Sequence, residues 1–295
     1  MGVYYLGRPG ALSSFAYPLR GYEPGVEDFG ATVHKLIGGG AAVDQGIRPT
    51  RTWKFSWSYL TLTERSYLRA LFLGHLGPPP FTLIDPNCDN YLTRNQASGG
   101  NALGNTTGFA VLAGTESLST STSVVYQGTT SIKHSLPATV TQGILRLVAS
   151  SSADRSYIAW PQPEQVTFWA RLHGQTTLRA RVAIQFLDVN AAVLSTATST
   201  YTALSTSAWS RFTVTATPPA GTVYIEPRVQ VDPTSVSTAT AMYLGGARLD
   251  IGGDDATDAP GDGVPLVAIV DMASKVQFAG YRDMEATLVD VSDLV

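Results

Sequence analysis

Hydrophobic and polar positions alternate most cleanly in RTWKFSWSYL, residues 51–60. Trp53, Phe55, Trp57 and Tyr59 fall on one face and Lys54, Ser56 and Ser58 on the other, the two-residue period of a strand with one covered side. Such a row of aromatics can be a sugar platform or a buried sheet face, and burial is the expected meaning. The rhythm then becomes helical. Thr61 and Glu64 have the spacing of a capping box, and Leu68, Leu71, Phe72 and His75 recur as one apolar stripe. Gly77 and Pro78-Pro79-Pro80 stop the helix. Phe81 begins a second short strand, which ends at Asp85-Pro86.

From about residue 95 to 253 the pattern changes to Ser/Thr/Ala/Val-rich segments that alternate over short distances. TSIKHSL, GILRLVAS, EQVTFWARLHG, LRARVAIQFLDV, SRFTVTATPPAG, TVYIEPRVQV and AMYLGGARLDIG all read as strands. Many short strands separated by turn signals imply an antiparallel β-sandwich. Asp188-Val189-Asn190-Ala191 has hairpin-turn chemistry between IQFL and VLST. An acidic connector, DATDAPGDG, then leads to VPLVAIVDM, KVQFAGY and MEATLVDVSDLV. Two or three strands cannot bury a core alone, so their expected partner is the first 90 residues. The division implied is a discontinuous domain of residues 1–90 plus 260–295, with residues 95–253 inserted. Residues 1–50 are turn-rich, and Gly38-Gly39-Gly40 reads as a flexible turn or as an arm that orders against a neighbouring subunit.

Composition narrows the function. Charged residues make up 15% of the 295-residue chain and the formal net charge is −3. Specific nucleic-acid binding is not expected, because phosphate contacts need clustered Lys/Arg and none occur. Cys88 is the single cysteine, which excludes an intrachain disulfide and a thiolate zinc cluster. The start, MGVYYLGRPG, lacks the positive and apolar regions of a signal peptide. No apolar run approaches the ~18 residues of a membrane span.

Three blocks, RTWKFSWSYLT, ERSYLRALFLGHLG and PPPFTLIDPNCDNYLTRNQAS, together resemble minor tail proteins of long-tailed bacteriophages, of the distal-tail type. The closing YRDMEATLVDV is similar to the last strands of that family's tail-tube-like barrel. YQGTTSIKHSL, VTFWARL, AWSRFTVTATPPAGT and MYLGGARLDI resemble jelly-roll modules related to carbohydrate-binding modules. The fold implied is mainly β: a discontinuous tail-tube-like β-barrel or sandwich with one α-helix, plus an inserted antiparallel jelly roll. The resemblance also implies a homohexameric ring at the virion tail tip, made in the host cytoplasm. Its partners would be the tail tube protein, the tape-measure protein and the hub or fibre proteins. A tube subunit carrying a decorative domain is the neighbouring alternative. A virion lectin that binds a host surface glycan through the jelly roll is another. Within such modules, Trp169 and Trp209 match positions that pack inside, so both are expected in the core together with Phe81.

Candidate chemistry is sparse. His34, His75, His134 and His173 are isolated and none has metal-ligand spacing. His75 on the helical stripe and His134 inside a strand read as structural. No nucleophile elbow or phosphate loop is present, and carboxylates are few in the sandwich, so a non-enzyme without cofactor is expected. Asp250, Asp254, Asp255, Asp258 and Asp262 cluster around the return connector. A solvated linker is the plainer account, with Asp250, Asp254 and Asp255 as candidates for a structural calcium ion. Tyr157 and Trp160, flanked by prolines in SYIAWPQPEQ, are the expected glycan contacts.

Overall fold

A computed structural model describes residues 3–15, 21–28, 32–35, 41–44, 50–112, 115–148, 157–253, 256–278 and 281–292. In chain order, β1 (Tyr4–Arg8), β2 (Ala11–Phe15), β3 (Gly21–Asp28), β4 (Thr32–Lys35), β5 (Ala41–Asp44) and β6 (Thr50–Leu60) come first. Helix α1 (Leu62–Phe72), β7 (Phe81–Ile84) and the one-turn helix α2 (Arg94–Ala97) follow. Next are β8 (Phe109–Val111), β9 (Ser117–Ser121), β10 (Ser131–Leu136), β11 (Ile144–Leu147), β12 (Ile158–Ala159) and β13 (Val166–Gly174). After them run β14 (Arg179–Leu187), β15 (Val193–Thr198), β16 (Thr202–Ala203), β17 (Ser210–Ala216), β18 (Tyr224–Val231) and β19 (Thr240–Ile251). The order closes with β20 (Leu266–Phe278) and β21 (Tyr281–Asp290). The fold is mainly β, and its described strand pairs are antiparallel.

Two compact units emerge: residues 1–85 with 265–295, and residues 86–264. In the first, seven strands form one sheet in the order β2-β1-β7-β20-β21-β6-β3. The C-terminal hairpin therefore lies in the middle of the sheet, with β20 paired to β7 and β21 to β6. Trp53, Phe55 and Trp57 are buried as the alternation requires, and Phe55 stacks on Trp57 at 5.0 Å. Tyr59 lies outside the described side chains, as the Gly38–Gly40 triplet lies outside the described residues. Leu68 and Leu71 of α1 join Tyr4, Leu6 and Phe81 in this core. The Thr61–Glu64 capping box is formed, with the Thr61 amide donating to Glu64 at 2.9 Å. Phe72, by contrast, is 40% exposed and His75 is exposed. The helix ends at Phe72, so the helical spacing that linked His75 to the stripe no longer applies there.

The second unit is a β-sandwich. One sheet runs β17-β13-β19-β10-β9 and the other β15-β14-β18-β11-β8, with β12 beside β18 and β16 beside β14. Val166, Phe168 and Leu172 from the first sheet, and Val182, Ile184, Ile225 and Val229 from the second, are fully buried. The Asp188 turn forms as its residues imply. Its carboxylate accepts from the amides of Asn190 and Ala192 at 2.8 Å each, and Ala191 takes φ +61°. His134 is buried in β10, where its Nε2 meets Glu116 at 2.7 Å.

This unit begins earlier and ends later than the alternation suggested. Asn90 is buried with all four of its side-chain hydrogen-bonding positions occupied. Its Nδ2 donates to the carbonyls of Ala247 and Ala259, and its Oδ1 accepts from the amides of Leu92 and Leu249. A second capping box, Thr93 with Gln96, starts α2, and buried Gln96 donates to the carbonyls of Gly108 and Val148 at 2.7 Å each. The acidic connector is pinned as well. Arg248 donates to Thr257, and Asp262 donates its amide to Asn90.

Candidate functional site

The two glycan-contact candidates separate. Trp160 is 2% exposed, its indole N–H donates to the Glu164 carbonyl at 3.0 Å, and its ring meets Tyr91 edge-on at 5.7 Å. The flanking prolines suggested a surface turn, but pairing of β12 with β18 draws this segment onto the sandwich. Trp160 is a core residue and cannot stack on a sugar. Tyr157 stays half-buried, beside Tyr224 at 6.1 Å and beneath the Arg146 guanidinium at 5.9 Å. Trp169 is buried as expected, but on the outward side of its strand, between the guanidiniums of Arg171 and Arg211. Trp209 departs from expectation. It is only half-buried, because it precedes β17 and its ring faces outward with Tyr126.

Of the calcium candidates, Asp254 and Asp255 lie outside the described residues. The Asp250 carboxylate accepts from Arg248 at 2.8 Å and from the Ile251 amide at 2.8 Å, so it is already committed. Asp258 accepts from Tyr126 and Arg171.

What surrounds Tyr157 is a polar ladder on the outer face of the sheet β15-β14-β18-β11-β8. On β18, Ile225, Val229 and Val231 point into the core, so alternation sends Glu226, Arg228 and Gln230 outward. Register places Arg146 of β11 opposite Arg228, and Gln185 and Arg181 of β14 opposite Glu226 and Gln230. Glu226 has no exposed side-chain surface. It accepts from Arg146 Nε at 2.8 Å and from Arg228, which also donates to Gln185. Arg181 donates to Gln230 at 2.8 Å and lies over the Tyr201 ring at 4.3 Å. Arg179 pairs with Asp232 at the end of the row.

Electrostatics follow from these contacts. The hydrogen bond to Glu226 is the main reason Arg146 is held above the ordinary guanidinium value. Burial pushes the Tyr224 phenol up. Asp232 is held below the usual carboxylate range, first by the Thr234 hydroxyl and then by the Thr234 amide and Arg179, against the opposing effect of burial. A carboxylate gripped by two guanidiniums fixes their positions on the sheet. The face can therefore present fixed N–H donors and phenol rings to a hydroxyl-rich ligand, with two guanidiniums sharing the Glu226 carboxylate. The sequence carries a signal for it: EPRVQV puts polar residues at every second position, and RARVAIQ does so except at Ala183. The missing information was register, since Arg146 and Glu226 are far apart in the chain.

No protein-family model and no curated protein matches this chain. Among solved structures, the chain is similar to the CBM22-1 xylan-binding domain from Paenibacillus barcinonensis Xyn10C. That match has 11% identity over 58% of this chain and 100% of that one, with a TM-score of 0.41. It is similar to the second family 16 carbohydrate-binding module at 14% identity over 52% of this chain and 99% of that one, with a TM-score of 0.37. A third likeness is to the enzymatically active domain of tailspike protein 4 of bacteriophage CBA120. There the identity is 12% over 57% of this chain and 22% of that one, with a TM-score of 0.38. Likeness at these scores carries no conclusion about ligand or activity.

Proposed function

We propose that the chain is a structural, non-catalytic protein of the distal tail of a long-tailed bacteriophage. In this reading the first unit builds a homohexameric ring between the tail tube and tape-measure proteins on one side and the hub or fibre proteins on the other. The protein is made in the host cytoplasm and carried in the virion. The observation that carries the reading is the strand order β7-β20-β21-β6. The residues that resemble the distal-tail family, β6, α1 and β7, share one sheet with the C-terminal hairpin, and the sandwich interrupts the chain between adjacent strands. Rings of identical subunits close through heterologous contacts. Light scattering of the purified protein, with negative-stain imaging, should give a six-fold ring. A monomer at the highest soluble concentration that also fails to bind isolated tail tubes would sink the proposal.

A second reading has its own support. The Arg146–Glu226–Arg228–Gln185 ladder, with Tyr157 and Tyr224 beside it, suits a saccharide: fixed donors for hydroxyls and phenol rings for pyranose faces. Here the sandwich holds a host surface glycan. Tyr157→Ala should weaken binding on a glycan array while leaving particle assembly intact. Unchanged binding by that variant counts against this face.

A further inference from the structure

The other sheet of the sandwich has a different outer face. On β13, Val166, Phe168, Ala170 and Leu172 are fully buried, so Trp169, Arg171 and His173 point outward. Register aligns His173 with Tyr243 of β19, Tyr243 with Lys133 of β10, and Lys133 with Ser119 of β9. Rings run across these strands in contact: Tyr126 edge-on to Trp209 at 5.6 Å, Trp209 against His173 at 5.2 Å, and His173 edge-on to Tyr243 at 6.0 Å. Gly245 permits this row. A Cβ there would lie 2.2 Å from Tyr126 Cβ and 2.8 Å from the Trp209 ring.

One end of the row is closed. Arg171 lies over Tyr126 at 4.9 Å and pairs with Asp258 at 3.0 Å, and Asp258 also accepts from the Tyr126 hydroxyl at 2.7 Å. The other end opens into a groove of about 440 Å³ whose lining includes Lys133, Ser135, His173, Gln175, Thr240 and Tyr243. No carboxylate lines it, and Lys133 makes no ion pair among the described residues. Nδ1 of His173 and Oγ1 of Thr240, both in its wall, are shielded from solvent without a hydrogen-bond partner. Buried polar atoms left unpaired are costly and uncommon.

We propose that this groove binds an acidic sugar. A pyranose ring lies against Tyr243, its carboxylate meets the Lys133 ammonium, and its hydroxyls bond to the Ser135 and Gln175 side chains in the groove wall. The site is separate from the Arg146–Glu226 ladder. It deepens the saccharide-binding reading of the sandwich and does not depend on the ring. Selectivity comes from the Lys133 ammonium, which meets no carboxylate among the described residues of the groove.

The test is calorimetric titration of the full-length protein with a glucuronic-acid oligosaccharide and with a glucose oligosaccharide of the same linkage and length. The acidic probe should bind at least about tenfold more tightly, the scale of one charge-assisted hydrogen bond. Lys133→Gln should erase that preference and Tyr243→Ala should abolish binding, with melting temperatures confirming that both variants fold. The imidazole resonances of His173 should shift on titration. Equal affinity for the two probes, no binding of the acidic probe, or an unchanged preference in Lys133→Gln overturns the proposal. Binding that is lost in Tyr157→Ala but kept in Tyr243→Ala places the sugar on the ladder face. That result overturns the groove and leaves the broader glycan reading standing.

Discussion

The two outer faces of the sandwich solve the problem of polar residues on a sheet in opposite ways. On the ladder face, Arg146, Glu226, Arg228 and Gln185 hydrogen-bond to one another, so two nearly buried guanidiniums share one carboxylate. On the groove face, rings cover the sheet, and Lys133, His173 Nδ1 and Thr240 Oγ1 at the open end have no partner among the described residues. The first arrangement fixes geometry and contributes to folding. The second leaves the Lys133 ammonium available to a ligand, and its buried unpaired atoms cost stability. Mutual satisfaction and readiness to bind are therefore separable within one domain.

This contrast should break most clearly at Glu226. Removing its carboxylate in Glu226→Ala leaves two arginines facing each other in a largely buried row, so the sandwich should lose about 3–5 kcal/mol. Lys133→Ala on the other face should change stability by less than about 0.5 kcal/mol. Urea unfolding followed by circular dichroism compares them, and similar losses would erase the distinction. A smaller effect is expected at Gly245. Gly245→Val forces Tyr126 and Trp209 off the sheet and should cost about 1–3 kcal/mol, the range for overpacking, with a change in tryptophan fluorescence.

The smallest effect concerns acid. The Asp232 carboxyl titrates below its unfolded value. Its stabilisation is therefore complete above the ordinary carboxylate range and is lost as pH falls through the lowered folded value. Asp232→Asn should lower the melting temperature at neutral pH, and the gap from the parent should shrink on acidification. A gap that widens in acid would mean that the Thr234 and Arg179 contacts do not set this carboxyl.

Local rules made much of the fold legible. The alternation of Trp53, Phe55 and Trp57, the Thr61–Glu64 cap and the Asp188 turn each depend on residues close in sequence, and each appears as read. Phe72 departs from its stripe and is exposed, because a stripe does not show which of its edges the neighbouring sheet covers. Trp160 and Trp209 reverse their expected places, Trp160 lying in the core and Trp209 half-exposed. Their burial depends on β12 joining β18 and on Trp209 preceding β17, not on their own flanking residues. Both outer faces depend on register between distant strands. Alternation within a strand shows which of its residues share a face but not which residues of distant strands meet.

The pairing of β7 with β20 and the hydrogen bonds of Asn90 have a joint consequence for how such a chain can diversify. Closing a long loop normally costs entropy that grows only slowly with length, roughly 0.6 kcal/mol for each doubling. Here the host sheet holds its two severed ends on adjacent strands, and within the sandwich the Leu92 carbonyl accepts from the Gly263 amide at 2.9 Å. Each unit brings together the chain passages that the other needs close. A sandwich of different size or specificity can be exchanged at Asp85 and Pro265 with little penalty to the sheet that receives it, which makes this junction a natural seam for recombination.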